Sequence, residues 1–120
     1  MTVEVLEVKA STKYVSMSPQ KVRLVVDLVR GLPVNEALET LRFVPNAAAK
    51  PVYKVIHSAM ANAEENLGLN RDDLMVHSIY ADAAPTRKWR RFGARGRFKP
   101  LLKRNSHITV ILREQEAVGG

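Results

Sequence analysis

From Ala83 to Arg113 the chain holds ten of its nineteen Lys and Arg residues and no Asp or Glu. Everything outside that stretch carries nine basic and twelve acidic side chains, a net of minus three within a total of +7. The positive charge is a local device. Its densest part, Pro85-Thr-Arg-Lys-Trp-Arg-Arg-Phe-Gly-Ala-Arg-Gly-Arg-Phe-Lys-Pro100, belongs to a segment from Ala83 with no helical or strand-like apolar period to face a core. Two foldings suit such a segment. One is a disordered basic tail, since blocks of like charge repel and stay open. The other is a β-hairpin arm that leaves the domain and returns. Apolar strand-like segments tie down both ends, and a structureless loop of this length in a compact domain is uncommon. The expectation is therefore an extended basic β-hairpin over residues 83–104, with Gly93 and Gly96 supplying positive φ at its tip. About nine residues a side at roughly 3.3 Å each reach about 30 Å. An arm without a core to enter needs a polyanionic partner.

The remainder, residues 1–82 and 105–120, is expected to make one globular body, because 120 residues suffice for a single hydrophobic core. A pI near 10.1 points to a nucleic acid or an anionic surface. The absence of cysteine excludes a disulfide framework and a thiolate zinc site. No apolar run approaches the roughly 18 residues of a membrane span. The opening Met-Thr-Val-Glu-Val-Leu-Glu is acidic and alternating, unlike a signal peptide, so the expected location is cytoplasmic.

Residues 3–17 have loose strand character, with Val3 and Val5 set against Leu6 and Val8, then Tyr14, Val15 and Met17. Ser18-Pro19 reads as a helix start: Ser caps free N–H groups and Pro fits the first helical position. That helix runs to Arg30 with Val22, Val25, Val26 and Val29 inward, Leu24 and Leu28 widening the face, and Arg23, Asp27 and Arg30 wet. Gly31 ends it. Val34 to Phe43 reads as a second helix with Ala37, Leu38 and Leu41 inward. A third spans about Asn46 to Leu67, carrying Ala48, Val52, Ile56, Ala59, Ala63 and Leu67 inward. Pro51 predicts a late start or a mild kink, and Gly68 a stop. After the turn Asn70–Asp73, Leu74, Val76 and Tyr80 alternate with Met75, His77 and Ile79. On the return, Ile108, Val110 and Leu112 alternate with His107, Thr109 and Ile111. Those two strands pair antiparallel and the N-terminal strand makes a third. The fold class is α+β: helices packed on an antiparallel sheet, not a parallel βαβ array.

Nothing in the sequence supports catalysis. His57 falls on the wet face of the third helix, while His77 and His107 lie on adjacent strands and could pair across them. Two histidines without a third ligand do not make a zinc site. Glu64-Glu65 and Asp72-Asp73 read as solvated surface, and Gly-Ala-Arg-Gly-Arg lacks the strand and helix of a phosphate loop. No metal or cofactor is expected. The arm is the strong feature: nine Lys or Arg lie between residues 85 and 104, and Arg forks onto phosphate or stacks on bases. Trp89, Phe92 and Phe98 are interleaved with them, as base stacking on RNA requires. A cross-strand Trp89–Phe98 pair that stiffens the hairpin explains two of these aromatics equally well. Lys13, Lys21 and Arg23 flank the Ser18-Pro19 turn, where they serve either as a second phosphate contact or as a plain solvated helix end.

Several segments together resemble a known family, the bacterial large-subunit ribosomal protein twenty-two. They are Tyr14-Val15, Ser18-Pro-Gln-Lys-Val-Arg-Leu-Val-Val-Asp-Leu-Val-Arg-Gly31, Ala61-Asn-Ala-Glu-Glu-Asn66, Pro85-Thr86, Ala94-Arg-Gly-Arg97 and Lys103-Arg-Asn-Ser-His-Ile-Thr-Val110. The resemblance covers nearly the whole chain. It implies three helices on a three-stranded antiparallel sheet with a long protruding hairpin, and a non-catalytic role in assembly and architecture. The partners it implies are large-subunit rRNA of several domains, neighbouring proteins including protein four at the tunnel constriction, and the nascent polypeptide, with the chain monomeric within the ribosome. Carried onto this sequence, the rRNA-binding set is Lys13, Ser18, Lys21, Arg23, Arg87, Lys88, Trp89, Arg90, Arg91, Arg95, Arg97, Lys99, Lys103 and Arg104. The exit-tunnel tip is Arg91, Phe92, Gly93, Ala94, Arg95 and Gly96, a region the family links to nascent-chain sensing and macrolide sensitivity. Phe92-Gly93 stands where the family usually has Pro-Arg, which removes one tip guanidinium and adds a glycine. Two other readings are an architectural DNA-binding protein with a basic β-arm and an RNA-processing enzyme using His77 and His107.

Overall fold

In a computed structural model, which describes residues 6–84, 87–92, 98–103 and 105–114, the element order is β1 (Glu7–Val15), α1 (Pro19–Val29), α2 (Val34–Arg42), α3 (Ala49–Leu67), β2 (Leu74–Ala83), β3 (Arg87–Phe92), β4 (Phe98–Lys103) and β5 (Ser106–Glu114). A 3-10 turn, Arg71–Asp73, leads into β2. Strands β1, β5 and β2 form one antiparallel sheet with β5 in the middle, and β3 pairs with β4 in a separate ladder. The helices pack on that sheet, so the α+β arrangement expected from the sequence is the one observed. Val52, Ile56, Ala59 and Ala63 of α3 and Ile108, Val110 and Leu112 of β5 are all completely buried. Val3 and Val5 lie outside the described residues.

The helix ends follow local chemistry with one exception. Pro19 takes the first helical position of α1, but the Ser18 side chain makes no capping hydrogen bond. Its backbone carbonyl accepts from the Lys21 and Val22 N–H groups at 3.1 and 3.3 Å. Gly31 has φ +83°, and its N–H donates to the Val76 carbonyl at 2.9 Å while Val76 N–H donates to Leu32 at 2.8 Å. The turn after α1 is thereby clipped to β2. Ser18→Ala is expected to cost under about 0.5 kcal/mol, well below the ~1 kcal/mol of a working cap. Gly31→Ala should cost about 1–2 kcal/mol through backbone strain alone, because no atom lies near the added Cβ. Denaturant titration of the two variants checks both figures. The late start of α3 is also observed. Asn46 precedes it, accepting the Ala48 N–H on Oδ1 at 3.0 Å, and Pro51 falls in the first turn, where N–H groups have no helical partner. Gly68, at φ +65°, and Leu69 both donate to the Ala63 carbonyl and close the helix.

Four apolar placements differ from expectation. Leu24 and Leu28 are 64% and 52% exposed, because at 100° per residue they lie opposite the Val22, Val25, Val26, Val29 stripe. Leu67, at the last helical position of α3, is exposed, and Leu69 beyond the turn packs on the core instead. Leu6, ahead of β1, is exposed while Val8 is buried. In β2 the alternation breaks. Val76 pairs with Leu112 but Ser78 with Ile111, which leaves His77 as an extra residue in a β-bulge. The phase then inverts, so that Ile79 and Ala81 are buried and Tyr80 is exposed.

The acidic turn is also more structured than a solvated surface. Arg71 Nε forms an ion pair with Glu64 Oε1 at 2.7 Å, and Asn35 Nδ2 donates to Asp72 Oδ1 at 2.7 Å. The Glu64 hydrogen bond and its charge hold the Arg71 guanidinium above its ordinary value.

Candidate nucleic-acid interface

The strand directions place the β2–β5 junction and several helix ends at one end of the body. β1 and β2 run toward the β2–β5 junction, where Val15 and Ala83 both pair with Ser106. The Ser106 hydroxyl donates to the Met17 carbonyl at 2.6 Å and ties the start of α1 to that junction. Ser18, Pro19, Gln20 and Arg23 border one depression with Ala83, Ala84 and Asn105. The first turns of α3 and the end of α2 meet Val15 and Met17 around another.

This end gathers Lys13, Lys21 and Arg23, as expected, and adds Arg42, Lys50 and Lys54, which the sequence reading did not single out. Lys13, Lys21 and Arg23 are exposed, and Ser18 is half-buried. Arg23 Nε donates to the Ala81 carbonyl at 3.1 Å, which holds the side chain against the base of the arm. None of the six cations has an ion-pair partner among the described residues. The arginines elsewhere on the body do: Arg30 with Asp27 at 2.7 Å, Arg71 with Glu64 at 2.7 Å and Arg113 with Glu7 at 2.8 Å. Six unneutralised cations at one end are what a phosphate backbone would neutralise.

In chain order the separate β3–β4 ladder lies between β2 and β5. After Ala83 pairs with Ser106, Ala84 N–H donates to the Asn105 carbonyl at 2.9 Å, and the β3–β4 ladder begins at Arg87 opposite Lys103. Three residues separate these pairs on the outgoing side and two on the return, so the register slips by one. Among the described residues the ladder holds six residues a side. Trp89 is opposite Leu101, and Phe92 is opposite Phe98. By register Trp89 is therefore not opposite Phe98, the pairing that was one of the two roles open to these aromatics in the sequence. By register, Arg87, Trp89 and Arg91 stand opposite Lys103, Leu101 and Lys99, and Lys88, Arg90 and Phe92 opposite Leu102, Pro100 and Phe98, so four of the six basic positions fall in the first alternating set. Pro100 is tolerated because a two-stranded ribbon leaves outward N–H positions unpaired. Gly93, Ala94, Arg95, Gly96, Arg97 and Arg104 lie outside the described residues.

The histidines do not combine. His77 sits in the bulge, whereas His107 is opposite Asp82, five residues or about 17 Å further along β2. His57 stacks on Tyr53, with centroids 6.0 Å apart and rings 13° from parallel. Among the described residues, no group of three His, Asp or Glu side chains could hold a metal ion. No helix among them is long and apolar enough to cross a membrane.

Residues 10–113 match the family described as Ribosomal protein L22p/L17e. The large ribosomal subunit protein uL22 of Chloroflexus aggregans is 48% identical over 110 residues, which span 92% of this chain and 97% of the relative. Those of Thermoanaerobacter sp. (strain X514) and Thermoanaerobacter pseudethanolicus are each 50% identical over 111 residues, spanning 92% of this chain and all of theirs. With the family matched over residues 10–113 and these relatives alike over nearly their full length, the chain belongs to the ribosomal protein L22p/L17e family, as a structural, non-enzymatic component of the large ribosomal subunit in the cytoplasm.

Proposed function

We propose that the chain binds large-subunit rRNA with its cationic end and its arm, supports assembly of the subunit, and lines the nascent-peptide exit tunnel with the tip from Arg91 to Gly96, beside the extension of ribosomal protein four. The observation that carries this reading is the segregation of charge. Lys13, Lys21, Arg23, Arg42, Lys50 and Lys54 have no ion-pair partner among the described residues and gather where the basic ladder leaves the body. The overall dimensions, 73 × 29 × 22 Å, suit a body of residues 1–82 and 105–120 with an arm of residues 83–104 extending from it. Family membership weighs against the architectural DNA reading.

In this account Ser18, Lys21 and Arg23 hold phosphates at the base of the arm, and the four-cation set of the ladder tracks the RNA backbone. Trp89 stacks on an unpaired base. Tagged protein from a lysate should sediment with the large subunit through a high-salt gradient and resist the wash. Protein that stays at the top of that gradient would sink the proposal.

A further inference from the structure

We propose a second RNA site on the body: the groove between the end of α2 and the first two turns of α3 takes an unpaired nucleotide. Its base lies against Phe43 and Tyr53, and its flanking phosphates meet Arg42, Lys50 and Lys54. The inference deepens the rRNA-binding reading and rests on it.

The groove has a volume of about 780 Å³, within the roughly 300–1,000 Å³ usual for ligand sites. Its floor is apolar, built from Val15, Met17, Leu41, Val44 and Pro51. Arg42, Lys50 and Lys54 line it too, and no carboxylate does. At Arg42 and Tyr53 it meets a neighbouring depression that holds Phe43, with Glu39 as the one acid there. Phe43 is 80% exposed at the end of α2. Tyr53 already stacks on His57, so a base added to that pair extends an existing stack.

Charge decides between possible occupants. A purely apolar partner would cover Phe43 while stripping water from three cations that have no ion-pair partner among the described residues. Single-stranded RNA offers a flat π-face for the aromatics and a phosphate for each cation in one ligand. None of Arg42, Phe43, Lys50, Tyr53 or Lys54 belongs to the arm, so the site contributes independently of it.

Ultraviolet cross-linking of the full chain to a large-subunit rRNA transcript, followed by nuclease digestion and mass spectrometry, tests the site. Nucleotide adducts are expected on the peptides carrying Phe43 or Tyr53. Phe43→Ala should weaken binding about tenfold. The combined Arg42→Gln, Lys50→Gln, Lys54→Gln variant should flatten the slope of log K against log salt by about two to three units. Unchanged melting temperatures would confirm that these exposed substitutions leave the fold intact. Arm-dependent rRNA binding with no adduct at these peptides and full affinity in Phe43→Ala would overturn the groove site alone. Cross-linking of the same peptides only to a neighbouring protein in intact subunits would overturn it as well. No binding of the unsubstituted chain to rRNA would overturn the reading beneath it.

Discussion

Replacing Arg87, Lys88, Arg90, Arg91, Lys99 and Lys103 together with Gln is expected to weaken rRNA binding on the order of a thousandfold near physiological salt. The physical cause is counterion release. Each phosphate neutralised by a side chain frees a condensed cation, and each such contact contributes about 0.7–0.9 to the slope of log K against log salt. Six lost contacts should flatten that slope by about four to five units, which titration at several salt concentrations measures directly. The body's stability should hardly change, because the buried cluster that unites helices and sheet is built from positions of the three helices and of β1, β2 and β5. An unchanged slope would mean that the arm does not follow the RNA backbone. Deleting residues 86–97 supplies the control. The deletion should lose RNA affinity while keeping a cooperative melting transition, and loss of that transition would contradict a separable arm.

Ile56→Ala carries the largest expected loss of stability. Ile56 is fully buried on α3, in the same cluster as Ile108 and Leu112. Removing its outer methyl and methylene groups forfeits their transfer energy and leaves a cavity, together about 2–5 kcal/mol. Against a total of roughly 5–15 kcal/mol for a native domain, that is a large fraction. It should lower the melting temperature by about 10 °C or more. Leu24→Ala is the paired test. It deletes a similar volume from a side chain that is mostly exposed, so it should cost under about 0.5 kcal/mol. A large effect at Leu24 would mean that the outer face of α1 is covered in the folded protein.

The two leucines of α1 also show where sequence reading stops. Pro19, Gly31 and Gly68 announce helix ends because each has a backbone preference independent of tertiary structure. The valine stripe announces the buried face for the same local reason. Leu24 and Leu28 looked like an extension of that face because composition was allowed to outweigh angle. The bulge at His77 has no comparable signal. An extra residue is defined only by a partner strand, and nothing in Val76-His77-Ser78 names Leu112 and Ile111 as the residues opposite. Whether Trp89 and Phe98 face each other depends on a register that neither residue's chemistry announces. The cations at the base of the arm were half legible: Lys13, Lys21 and Arg23 cluster around one turn. Arg42, Lys50 and Lys54 are brought to the same end only because α2 runs toward the arm and α3 away from it.

That charge arrangement has a kinetic consequence. With unpaired cations toward one end, and Glu65, Asp72 and Asp73 beside the Arg71–Glu64 pair toward the other, charge is unevenly distributed along the body. Near a polyanion such a body experiences a torque before it touches anything. It turns basic pole first, and an approach led by the acidic pole is repelled. The field acts within about one Debye length, roughly 8 Å in physiological salt, whereas an arm of six paired residues a side extends about 20 Å. Under the proposed rRNA-binding role, a protruding arm meets the RNA while the body is still beyond reach of that field, so the rotational search ends before the body docks.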